Sequence, residues 1–155
     1  MNSLRRGEFA ALASQAAKQP AVLRALLGRL WADEQPLRVG AARTLAALAV
    51  QEPDKATELV RRLLWALNDE SGTNGAAVVP ALEAMAGTAP HVVGPFAGAL
   101  VAHLDDDGLR ADLLRVLAVL QEMAPSWLAP HAADIARWEG SLGERLPAGG
   151  EEVGG

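Results

Sequence analysis

The chain has 155 residues, a formal net charge of −5 and an isoelectric point near 5.2. It has no cysteine, which excludes disulfides, iron–sulfur clusters and thiolate zinc sites, and it lacks the basic stripe of a nucleic-acid binder. No apolar run approaches the roughly 18–20 residues that span a bilayer, so neither nucleic acid nor membrane is expected as a partner.

Met1 to Arg6 meets Gly7-Glu8 before an apolar core forms. No signal peptide is therefore expected, and the cytoplasm is the expected address. Helical periodicity then covers most of the chain, and alanine, roughly one residue in five, favours close-packed helices. A first helix is predicted from about Leu4 or Gly7 to Lys18. Gln19-Pro20 breaks it, and Pro20 suits the first turn of the next helix. That helix, about 20–32, places Leu23, Leu26, Leu27 and Leu30 on one face. Its partner, about 37–50, does the same with Leu37, Ala41, Leu45 and Leu48. Pro53 opens a helix to about Leu67, with Leu59, Leu63 and Leu67 in register.

Asn68 to Gly75 is polar and carries two glycines. The helix after it is predicted to reach about Gly87 and to start late or bend near Pro80. Proline lacks an amide hydrogen, and its ring clashes with the carbonyl four residues back, here that of Ala76. A helix from Pro90 to about Leu104 comes next. The one after Gly108 carries Leu109, Leu113, Leu117 and Leu120. Pro125 or Ser126 is expected to open the last helix, to about Leu142. Residues 1–146 are thus predicted to form a single domain of about eight helices. Residues 147–155, rich in glycine and glutamate, are expected to be a disordered tail.

One segment recurs. Asp33-Glu34-Gln35-Pro36-Leu37-Arg38 returns as Asp105-Asp106-Asp107-Gly108-Leu109-Arg110, 72 residues later, and Asp69 stands halfway. An acidic turn every 36 residues between apolar helices points to a stacked array of helix hairpins. A four-helix bundle has no need of a repeated Asp-x-x-x-Leu-Arg turn. Leu30 to Leu48, with Asp33, Pro36, Leu37-Arg38, Ala41-Ala42 and Leu45, resembles a HEAT-type repeat unit, and the unit with Asp105, Leu109-Arg110 and Leu117 is similar. The resemblance covers about residues 20–125. It implies an all-α fold, a short right-handed α-solenoid of HEAT-like antiparallel helix hairpins. The segment Leu64 to Gly72, with Pro80 to Met85 after it, further resembles bacterial HEAT-like proteins with an Asn-Asp-Glu-Ser-Gly turn. In those the turn runs into a glycine-tryptophan-glycine stretch and a proline-glutamate pair; this chain has Asn74-Gly75-Ala76-Ala77 and Pro80-Ala81.

The turn aspartates Asp33 and Asp105 are expected to accept hydrogen bonds from helix amides or from Arg38 and Arg110, as a structural ladder. Asn74 breaks the series where a third arginine would stand. Asn68, Asp69, Glu70 and Ser71 precede a helix whose amides could hold a carboxylate or phosphate, but the lysine and spacing of a phosphate-binding loop are missing. The bland alternative is an elongated turn with local side-chain caps. His91, His103 and His131 are succeeded by Val92, Leu104 and Ala132. The His-Glu pairs of the iron-dependent hydroxylases built on HEAT-like scaffolds are therefore absent. His103 beside Asp105 to Asp107 reads as an acidic helix start rather than a metal site. No serine sits in a nucleophile motif, and Glu70 and Glu83 have no catalytic spacing. No metal, no cofactor and no enzymatic activity are expected. Trp127 and Trp138, eleven apart, are expected on one face of the last helix.

The expected role is a protein-binding scaffold or adaptor, monomeric or weakly self-associating. Its contact surface is expected on the inner face built by the second helices of each pair, with Arg43, Thr44, Glu83, Asp112, Arg115 and Glu122 exposed, together with the 68–75 turn. The alternative from another class is a small-ligand protein or enzyme centred on that turn, marked by a pocket with a perturbed carboxylate.

Overall fold

The computed structural model describes residues 6–67 and 75–145. Among them the chain is helical, with no strand. The helices are α1 (Arg6–Lys18), α2 (Pro20–Gly28), α3 (Gln35–Gln51), α4 (Pro53–Leu67), α5 (Val79–Thr88), α6 (Pro90–Val93), α7 (Ala97–Ala102), α8 (Asp107–Met123) and α9 (Ala132–Arg145). With α6 and α7 counted as one interrupted arm, there are eight arms among the described residues. No helix among these residues is long and apolar enough to cross a membrane. The expected tail, 147–155, and the turn residues 68–74 lie outside the described residues.

Four joints share one geometry. Gln19, Glu52, Ala89 and Ala124 each stand between a helix and a proline. Their φ, ψ values are −126°, 106°; −135°, 73°; −144°, 70°; and −158°, 71°. A residue before proline is pushed out of the helical region by the proline ring, so each helix stops there. Each joint amide still donates to the carbonyl four residues back, at 2.9, 2.7, 2.8 and 2.7 Å. Each joint carbonyl accepts from the first turn of the next element, namely from Val22, Ala56, Val92 and Trp127 at 2.9–3.2 Å. One residue therefore closes one helix and opens the next.

Gly75–Val78 forms a 3-10 turn, and α5 starts at Val79 with Pro80 in its first turn. This is the late start that the proline requires. Two other arms differ from expectation. The arm expected as one helix from Pro90 to Leu104 is broken by a 3-10 turn at Gly94–Phe96 and ends in another at His103–Asp105. Pro95 has no amide hydrogen and cannot continue the ladder of α6. The last helix does not start at Pro125 or Ser126. Two 3-10 turns, Pro125–Trp127 and Ala129–His131, come first, because Pro130 interrupts the arm, and α9 begins at Ala132. Trp127 and Trp138 therefore do not share a helix face. Trp127 instead lies so close over Gly94 that a side chain there would run into its indole. The 3-10 turns Gly94–Phe96 and Pro125–Trp127 thus meet in one tight contact.

The main packing runs in chain order. α1 packs on α3, α3 most extensively on α5, and α5 on α8, while α2, α4 and the α6–α7 arm connect these four. α9 packs on α8. Leu45 and Leu48 of α3, Leu82 and Met85 of α5, and Leu113, Leu117 and Leu120 of α8 are fully buried along this line. Each contributes roughly 1.5–3 kcal/mol of hydrophobic stabilisation.

Candidate interaction surface

The repeated turn closes in a way the sequence does not indicate. Arg38 Nη1 donates to the carbonyls of Ala32 and Asp33 at 2.7 and 2.8 Å. Arg110 donates to the carbonyls of Leu104 and Asp105, through Nε at 2.6 Å and Nη2 at 3.4 Å. Both acceptors of Arg110 lie 72 residues after those of Arg38. The arginine reaches back to the end of the preceding helical arm, where carbonyls lack helical partners. The expected partner, the side chain of the first turn aspartate, takes neither bond. Asp107 pairs with Arg110 at 2.8 Å, and Asp106 accepts from the Gly108 amide at 2.9 Å as the N-cap of α8.

Arg110 is 4% exposed. Its guanidinium carbon lies 4.4 Å from the ring centroid of Trp138 in α9, a stacked cation–π contact. Arg38 is only partly buried. It lines a cleft of about 350 Å³ with Trp31, Asp33, Ala76, Ala77 and Pro80. The Arg110–Trp138 pair has no sequence signal, because a contact between α8 and α9 arises from packing and not from spacing.

The predicted contact residues do not all reach the surface. Arg43 is exposed on α3, and Glu83 is half-buried on α5. Arg115 is exposed on α8 and bridges two elements: its Nη1 lies 2.9 Å from Asp112, and its Nε lies 3.6 Å from Glu83. The structure thus brings Glu83, Asp112 and Arg115 together. At this exposure such pairs contribute about 0–1 kcal/mol, so their charge remains usable by a partner. Glu122 is exposed near the end of α8. Thr44 is a correction: it is fully buried, and its hydroxyl donates to the Gly40 carbonyl at 2.7 Å. A hydroxyl satisfied by its own helix can be buried without an orphaned polar atom. Asn68, Asp69, Glu70 and Ser71 lie outside the described residues.

Among the described residues, no three His, Asp or Glu side chains converge as metal ligands would. The most exposed large apolar side chain among them is Trp65 on α4, at 75%. No family model, curated protein or solved structure matches the chain.

Proposed function

We propose that this chain is a protein-binding adaptor without catalytic activity, built as a short right-handed α-solenoid of HEAT-like antiparallel hairpins. One observation carries the reading: the same arginine-to-carbonyl closure at Arg38 and Arg110, 72 residues apart. The four proline joints support it, since each sets off a helical arm in the same way. Stacking such units lines up the second helices as a continuous row along the inner face of the array. That row offers Arg43, Glu83, Asp112, Arg115 and Glu122, a mixture of signs that suits a protein surface better than a phosphate backbone. The partner is proposed to engage this row and the 68–71 residues.

Affinity capture from the native cell tests the reading, run in parallel with wild-type protein and an Arg43→Ala, Arg115→Ala double variant. A partner retained by the wild type and lost by the variant, with unchanged circular dichroism, is the expected outcome. Equal retention by both would remove the row from the interface.

A further inference from the structure

Arg38 and Arg110 make equivalent bonds, yet their exposed faces differ. At Arg110 the indole of Trp138 covers the guanidinium, 4.4 Å from carbon to ring centroid, and leaves the residue 4% exposed. Arg38 remains partly exposed and opens onto the cleft of about 350 Å³. We propose that this cleft is a binding site for an aromatic side chain of a partner protein, seated against Arg38 as Trp138 is seated against Arg110. The volume lies at the small end of ligand pockets, the scale of one large side chain. Ala76 and Ala77 form part of the wall with little bulk, so a planar ring can approach closely. Pro80 adds a rigid apolar side. The donors of Arg38 that point back to Ala32 and Asp33 stay bonded, leaving the face of the guanidinium for a ring. Charge selects the neighbouring residue. Asp33 lines the cleft and is exposed, and exposed Glu34 stands next to it in the chain. The partner's aromatic residue is therefore flanked by lysine or arginine. The site lies at the turn between α2 and α3, apart from Arg43 and Arg115. Its failure and that of the row are thus read by different variants.

The test uses the full chain, isotopically labelled, and three small probes monitored by NMR: the acetylated dipeptide amides of tryptophan-lysine, leucine-lysine and tryptophan-glutamate. The expected result is saturable shifts at Arg38, Ala77 and neighbouring amides with tryptophan-lysine, at a millimolar dissociation constant. The leucine probe is expected to bind about three- to tenfold more weakly, the range of a cation–π contact. The glutamate probe is expected to be weaker than tryptophan-lysine as well. Ala77→Leu fills the cleft and leaves Arg38 with its carbonyl partners; it is expected to abolish the shifts while the rest of the spectrum is preserved. Absence of saturable shifts, equal binding of the leucine probe, or undiminished binding to a folded Ala77→Leu variant would each overturn the proposal. The comparison of probes on the wild type decides the question even where that variant fails to fold.

Discussion

Arg110 donates to two carbonyls and one carboxylate beneath the Trp138 ring, whereas Arg38 donates to two carbonyls beside an open cleft. Truncation removes a donor from the carbonyls in both cases, but the Leu104 carbonyl bonded by Arg110 is buried, whereas the bonds of Arg38 are part-buried or exposed. Arg110→Ala is therefore expected to cost about 2–4 kcal/mol, and Arg38→Ala about 1–2 kcal/mol. Urea denaturation of the two variants measures this, and equal losses would contradict the burial argument. Arg110→Lys keeps the charge and loses the planar fork, so it is expected to fall between wild type and alanine. Gly94 gives a second residue-scale prediction. Its missing side chain admits the Trp127 indole. Gly94→Ala is expected to displace that ring, cost about 1–3 kcal/mol and shift tryptophan fluorescence. The Arg61–Glu58 pair on α4 is exposed on both sides, and its removal is expected to change stability by less than about 1 kcal/mol.

Proline position separates neutral from destructive changes within an element. Pro80 sits in the first turn of α5, where its missing amide hydrogen is not needed. Pro80→Ala is expected to cost less than about 1 kcal/mol. Ala46→Pro, in the middle of α3, is expected to cost about 3 kcal/mol or more and to lower the helical signal in circular dichroism. The two variants measured side by side check the assignment of the α5 start. The same residue type shows what is legible in the sequence. Pro20, Pro53 and Pro80 each announce a helix start, and the leucine spacing around Leu45, Leu63 and Leu117 announces the buried faces. The breaks at Pro95 and Pro130 are masked, because leucine and alanine periodicity continues on both sides of them. Thr44 sits on the wrong side of the expected pattern because helical spacing does not reveal that a hydroxyl bonded within its own helix can be buried. At the candidate site, the recurrence of Arg38 and Arg110 is visible in the sequence; their true acceptors are not. A backbone carbonyl at a helix end carries no signature in the side-chain sequence.

The order α1, α3, α5, α8 makes α5 the middle of the packing, in contact with both α3 and α8. Leu82 in α5 is fully buried. Leu82→Ala is expected to cost about 2–5 kcal/mol. It is also expected to raise hydrogen exchange in α3 and α8 together, whereas a change in α1 stays local. Exchange rates in the two neighbours that respond independently would argue against this order of packing. The proline joints carry a further consequence for how the molecule tolerates changes of length. At Glu52 one residue both finishes α3 and starts α4, so the joint has no slack. An added residue there rotates the rest of the chain and detaches α4 from α3. At Ala32 to Glu34 the chain passes between arms through several residues held by one arginine. Extra length at that turn only lengthens an exposed loop, at an entropic cost of about 0.6 kcal/mol per doubling. Insertions, tags and new chain ends therefore have a natural home at the exposed stretch of Asp33 and Glu34 and none at the proline joints.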